Sequence, residues 1–222
     1  MLLDTTEENR SLYSAAQNSP GFDNDRITLL HNWLQDIISI SCSLDIGCSS
    51  GGFSALLPPE VEKWGLDFER HPNLPQEFNF IDCDISQYWS VPQKHFDVVL
   101  AGEVIEHILD TDFFIQQCFD ALQPKGYLLL TTPNLSSFAN LRSWVKTEQY
   151  MWVDSGANQF GHVRYLAPKP MNKALKNAGF DNIMMRTVSG LEGLQFFPAL
   201  RHFIQQVFPL RGNRLCVMAH KP

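Results

Sequence analysis

Residues 44–52 read L-D-I-G-C-S-S-G-G, a short apolar run that enters a glycine turn with one carboxylate, Asp45, just ahead of it. Glycines at 47, 51 and 52 permit positive φ and remove Cβ atoms where a ligand must come close to the backbone. A second carboxylate, Asp67, follows the apolar segment V-E-K-W-G-L, at the distance where the second strand of a βαβ unit ends. The pair reads as a cleft for a ribose-bearing cofactor. The competing reading is a tight structural turn whose aspartate serves only the backbone.

Working outward, residues 61–66, 78–81, 96–100 and 127–131 each read as short buried strands. Residues 110–122 read as a helix, with apolar positions at 113, 114, 118, 119 and 122 and a stop at Pro124 and Gly126. Upstream, Ile27, Leu30, Leu34 and Ile37 or Ile38 recur at helical spacing, so a helix leads into the first strand. Strands alternating with helices predict an α/β fold with a largely parallel sheet covered on both faces. Ligands of such a sheet bind beyond the carboxyl ends of its strands.

After Pro133 the pattern changes to an aromatic-rich excursion carrying Phe138, Trp144, Tyr150, Trp152 and Phe160. A helix over 168–178 ends at Gly179, and strands are expected over 180–188 and 214–219. Between those strands Leu194, Phe197, Leu200, Phe203, Ile204, Val207 and Phe208 mark an amphipathic helix. The domain plan is a mobile N-terminal arm over 1–24 and a single domain over 25–222, with a substrate lid at 134–167 and an insertion at 190–211. The apolar face of 194–208 is read as an interface for a protein partner or a dimer.

The formal net charge of −7 disfavours a general nucleic-acid surface, because phosphate contacts need clustered Lys and Arg. No secretory signal and no apolar stretch of bilayer length is visible, and a cytoplasmic location is expected. The five cysteines, 42, 48, 83, 118 and 216, lack C-x-x-C spacing, so no metal site is read from them. A P-loop is excluded because the turn has no Lys. Gly47, Ser49 and Gly52 imitate a dinucleotide fingerprint, yet nothing downstream looks like a second nucleotide half.

Several segments, in order, resemble the motifs of class I S-adenosylmethionine-dependent methyltransferases. Residues 44–51 resemble the first motif, with Ser49 at its commonest middle glycine. Gly65-Leu66-Asp67 resembles the ribose motif and Asp82-Cys83-Asp84-Ile85 the adenine region. The strongest match is F-D-V-V-L-A-G-E-V-I-E-H-I over 96–108, followed by L-Q-P-K-G-Y-L-L-L-T-T-P-N over 122–134. The likeness extends through 161–166 and Ala178-Gly179-Phe180.

The resemblance implies a Rossmann-like, mostly parallel seven-stranded sheet with helices on both faces and one antiparallel edge strand. It implies S-adenosyl-L-methionine as cofactor, held by Asp45, Gly47, Cys48, Gly51, Asp67, Phe68, Asp84, Ile85 and Glu103. His107, His162 and Glu106 are the candidate catalytic groups, since a hydroxyl acceptor needs a base with a pKa near working pH. No Asn/Asp-Pro-Pro-aromatic motif follows the fourth strand, where Ala101-Gly102-Glu103-Val104 stands instead. That departure argues against nucleobase amines and for a small-molecule or glycan-linked acceptor, with O-methylation favoured. The alternatives are a methyltransferase acting on protein or RNA, and a noncatalytic cofactor-binding or interaction module.

Overall fold

The computed structural model describes residues 24–150, 161–188 and 198–222. The expected arm, apart from Asn24, lies outside the described residues. So do Trp152 and Phe160 of the expected lid, and Leu194 and Phe197 of the insertion.

The chain runs α1 (Asn24–Gln35), β1 (Cys42–Ile46), β2 (Glu62–Asp67), β3 (Asn79–Asp82), β4 (Phe96–Gly102), α2 (Thr111–Ala121) and β5 (Leu122–Pro133). It continues through α3 (Phe138–Thr147), α4 (Pro168–Ala178), β6 (Asp181–Val188), α5 (Pro198–Val207) and β7 (Arg214–His220). The seven strands form one sheet in the order β3-β2-β1-β4-β5-β7-β6. Strands β1 to β5 pair in parallel, and β7 is antiparallel to both β5 and β6. The antiparallel strand therefore lies one place in from the edge, and the expected edge position is corrected. Strand β7 lies between β5 and β6 and completes the ladder of β5.

Strand order reverses between β1 and β4, and this is where a doubly wound sheet opens a crevice. Between β1 and β4 no α-helix forms; the crossovers carry only a 3-10 turn at Ser54–Leu56. Strict strand–helix alternation thus fails on this side. The linking segments contain Gly51, Gly52, Pro58, Pro59, Pro72, Pro75 and Pro92, each of which interrupts helical hydrogen bonding or weakens propensity.

Alternation along β4 shows how the two faces are filled. Val99 and Ala101 face a core with Phe114, Ile115 and Cys118 of α2 and Met171 and Leu175 of α4. Val98 and Leu100 face the other side, where Leu30, Trp33 and Leu34 of α1 pack with Leu129 and Met218. Each fully buried Leu or Phe contributes roughly 1.5–3 kcal/mol. Helix α2 starts on Asp110, whose side chain accepts from the Phe113 N–H. It ends at Ala121 and passes directly into β5, because Leu122 already pairs with Phe96. The breakers at Pro124 and Gly126 therefore lie inside a strand.

Helix α5 confirms the amphipathic segment in part, with Phe203 and Val207 exposed. Among the described residues no helix is long and apolar enough to cross a membrane.

Candidate active site

The turn after β1 is latched to β2. The N–H groups of Gly47 and Cys48 both donate to the Leu66 carbonyl, at 2.8 and 3.1 Å. Gly47 has φ +66°, and a Cβ there would stand 2.6 Å from Val104 Cγ2. Only glycine fits both the backbone and the space. Ser49, standing where the first motif commonly has glycine, also adopts a left-handed φ of +45°. That conformation costs about 1–2 kcal/mol for an L-residue. Its N–H donates to Asp67 Oδ2 at 2.9 Å, which holds the conformation in place.

Asp67, at the end of β2, is buried and accepts one backbone N–H on each oxygen, from Ser49 and from Phe68 at 2.8 Å. Burial raises its carboxyl above the usual range, and the two N–H groups oppose that rise. Each oxygen keeps lone-pair capacity for a hydroxyl donor.

Asp45 is placed differently from the expectation. Its Oδ2 accepts from the Ser54 hydroxyl at 2.8 Å and the Ser54 N–H at 3.2 Å, and the residue is 1 % exposed. Burial pushes its carboxyl up to about 7. This carboxylate fastens the turn from beneath. Cys48 is likewise turned inward against Leu74 and Phe78, so what it offers a ligand is backbone. Ile85 lies in the main core. Asp84 Oδ1 accepts from the N–H and hydroxyl of Ser86, at 2.9 and 2.7 Å.

Glu103 follows β4 with φ +58° and is held between two arginines. Arg26 Nη1 of α1 lies 3.0 Å from its Oε1, and Arg214 Nη1 of β7 lies 2.8 Å from its Oε2. The Arg26 guanidinium also stands 5.3 Å from the Phe53 ring centre, and that ring packs on Gly102, where a Cβ would meet it at 1.9 Å. Neither arginine was singled out from sequence, because nothing in their spacing links α1 and β7 to the end of β4. Both oxygens of the expected cofactor carboxylate thus face arginines.

Beyond Glu103, a 3-10 turn at Ile105–His107 brings the three candidate catalytic groups together. The Glu106 carbonyl accepts from the N–H groups of Val163 and Arg164, both at 2.9 Å, which carries His162 to the turn. Glu106 is 2 % exposed; its Oε2 accepts from the Thr132 hydroxyl at 3.0 Å, and its Oε1 lies 4.0 Å from His162 Nε2. Burial, reinforced by the nearby Glu103 charge, raises its carboxyl well above the ordinary value. His107 and His162 stack edge to face with ring centres 4.9 Å apart.

His107 Nδ1 lies 3.2 Å from the Gly161 carbonyl. That oxygen can only accept, so Nδ1 carries the proton and Nε2 is the basic nitrogen. Burial lowers the His107 pKa, which keeps the ring neutral. One ligand atom from each of Glu106, His107 and His162 lies within 4.8 Å of the others. The group can therefore work as a base with its orienting partners, or hold a divalent cation. Mixed imidazole and carboxylate donors suit zinc, manganese or iron(II). Cysteine spacing could not have signalled this donor set, which contains no sulfur.

The switch-point crevice, the glycine turn and the buried carboxylate at the end of β2 define a class I S-adenosylmethionine-dependent methyltransferase. The chain belongs to the methyltransferase domain family, whose model matches residues 9–184. It is 27% identical over 162 residues to the mitochondrial ubiquinone biosynthesis O-methyltransferase of Bos taurus, covering 67% of this chain and 42% of that protein. The chain thus spans less than half the length of that relative. A ubiquinone biosynthesis O-methyltransferase of Pseudomonas fluorescens is 24% identical over 185 residues, covering 78% of this chain and 76% of the relative. Among solved structures, N-methyltransferase NodS of Bradyrhizobium japonicum, in complex with S-adenosylhomocysteine, superposes with a TM-score of 0.63 at 16% identity, covering 98% of each chain. That likeness is one of fold.

The residues present fit S-adenosylmethionine as the cofactor. Gly47, with φ +66°, turns bare backbone outward at the end of β1, and Asp67 presents a carboxylate already organised by two N–H groups. When bound, the cofactor supplies an electrophilic methyl group on a positively charged sulfur.

Proposed function

We propose that the protein transfers methyl to a hydroxyl of a small-molecule or glycan-linked acceptor, with His107 Nε2 taking the hydroxyl proton. The observation that carries this reading is the Glu106–His107–His162 group beyond β4, in which a neutral histidine is oriented by the Gly161 carbonyl. An amine acceptor has its own lone pair once unprotonated, whereas a hydroxyl gains most from a positioned base. The O-methyltransferase names of the two relatives support oxygen as the accepting atom.

Asp67 is the residue for the ribose hydroxyls, the backbone from Gly47 to Gly51 lies along the amino-acid end, and Asp84 and the neighbouring backbone meet the adenine. Glu103 acts on the site through its arginines and the turn that follows it. Alignment in a cleft that excludes water supplies much of the rate effect.

A second reading is favoured by the donor set itself. A divalent cation on Glu106, His107 and His162 would lower the acceptor hydroxyl's pKa and orient it. Methyl transfer screened over phenols, carboxylic acids, sugar conjugates, RNA and protein, with products located by mass spectrometry, tests the proposal. O-methylated small molecules are expected. Exclusive modification of protein or RNA, or of nitrogen, overturns it.

A further inference from the structure

At the opposite end of the sheet from the methyl-transfer site, three strand starts bring a thiol, a carboxylate and an imidazole together. Cys42 opens β1, Glu62 opens β2 and is the register partner of Cys42, and His95 immediately precedes β4. One ligand atom from each lies within 4.8 Å of the other two. We propose that Cys42, Glu62 and His95 form a second site, which takes a zinc-class divalent cation and ties together the starts of β1, β2 and β4.

The surroundings support a cation in three ways. Glu62 Oε1 accepts from Trp64 Nε1–H at 2.8 Å and Asn79 Nδ2–H at 2.9 Å, so the carboxylate is already oriented by neighbours, as ligating carboxylates generally are. The same Trp64 ring packs edge-on against the His95 ring, with centres 6.1 Å apart, so one side chain braces two ligands. Cys42 also lies beside two acids, its register partner Glu62 and Asp97, whose Oδ2 accepts from the Cys42 N–H at 2.9 Å. No described ion pair involves either acid, and a divalent cation would neutralise the group.

Binding replaces the S–H bond with an S–metal bond, and the thiol proton passes to solvent; nothing is oxidised or reduced. Tetrahedral zinc, with bonds of about 2.0–2.3 Å, places its ligand atoms roughly 3.4 Å apart. Glu62 and His95 must therefore move inward by up to about an ångström, and both are exposed side chains with that freedom. A sulfur, nitrogen and oxygen set selects zinc or cobalt over magnesium or calcium. Three protein ligands leave the fourth position to water. Strand β2 separates Glu62 from Asp67 by five residues of rise, about 17 Å, so the cation stabilises the sheet without touching the cofactor end.

Cobalt(II) titrated into the reduced, metal-free protein tests this assignment. A near-ultraviolet thiolate-to-cobalt charge-transfer band is expected at one equivalent, which the sulfur-free Glu106–His107–His162 group cannot produce. Cys42→Ser should abolish the band, while His95→Ala and Glu62→Gln, both at exposed positions, should weaken cobalt binding at least about tenfold. Zinc should raise the melting temperature of the wild type and not of His95→Ala, with S-adenosylhomocysteine affinity unchanged in all four proteins. Absence of the band in the wild type, or its survival in folded Cys42→Ser, overturns the proposal, as does full-affinity cobalt binding, read by that band, in His95→Ala.

Discussion

Glu106 Oε1 stands 4.0 Å from His162 Nε2, and among the described residues it accepts no hydrogen bond, although Oε2 of the same carboxyl is bonded to Thr132. A buried oxygen in that condition costs about 1–3 kcal/mol. The cost is met if the carboxyl carries a proton or if a cation sits between it and the imidazoles.

These two states make opposite predictions for Glu106→Gln. If the carboxyl is protonated, the amide is nearly isosteric, transfer falls less than tenfold, and chelators have no effect. If a cation is held, the variant and exhaustive chelation both abolish transfer, and added manganese or zinc restores the wild type alone. Steady-state rates with and without chelator separate them.

The acid limb of the rate profile should belong to His107. Burial lowers its pKa from the ordinary 6.5, so the basic form already dominates at neutrality. kcat should be flat above neutral pH and fall in acid through a midpoint below the usual histidine range. His107→Ala should lose the acid limb together with about 10²–10⁴-fold of the rate. A variant that keeps the wild-type rate and profile removes His107 as the base.

Asp67→Ala should weaken S-adenosylhomocysteine binding by about 1.5–3 kcal/mol, the scale of a charged hydrogen bond. Because the same carboxylate holds Ser49, the turn loses an anchor as well. Calorimetric titration of a variant with a wild-type circular dichroism spectrum checks it. An unchanged dissociation constant would remove Asp67 from the ribose role.

Asp45 gives a pH dependence of stability. Burial pushes its carboxyl from the ordinary 3.8 up to about 7 in the folded protein, so the folded state holds the proton more tightly. Its contribution is fully present below about pH 4 and lost as pH rises through about 7, on the order of 4 kcal/mol. Denaturant unfolding from pH 5 to 8 should show wild type losing stability relative to Asp45→Asn. Parallel curves for the two proteins would refute this.

Gly47→Ala should destabilise the protein by about 1–3 kcal/mol through backbone strain alone, and by more because its Cβ meets Val104. Val104→Ala in the same chain should recover the steric part and leave the strain. Thermal melts of the single and double variants measure both parts. Additive losses would show that the two residues do not meet.

The glycine turn, the order of strands and the helices over α2 and α4 were legible because each is written in local residues: Gly47, Pro168, Gly179 and the apolar spacing from Phe113 to Leu122. What eluded sequence depended on distant partners. The arginines that pair with Glu103, Arg26 and Arg214, lie far from it in the chain, and Ser54 reaches Asp45 only through the fold. His162 meets Glu106 across 56 residues, joined by two backbone bonds that no periodicity reveals. The antiparallel strand was expected, but its place beside β5 is decided by pairing energetics rather than by its own sequence.

Asn134, buried at the end of β5, donates through Nδ2 to the carbonyls of Leu210 and Gly212 and accepts at Oδ1 from Ser136. Its own carbonyl accepts from Asn140 Nδ2, and the adjoining Leu135 N–H bonds Leu166. The Asn134 amide thus ties the end of β5 to the approach to β7, while the Leu135 backbone holds Leu166. A junction held by bonds of its own keeps the end of β5 in place whatever side chains stand on the segments that leave it. Change in those segments is thereby uncoupled from the sheet beneath.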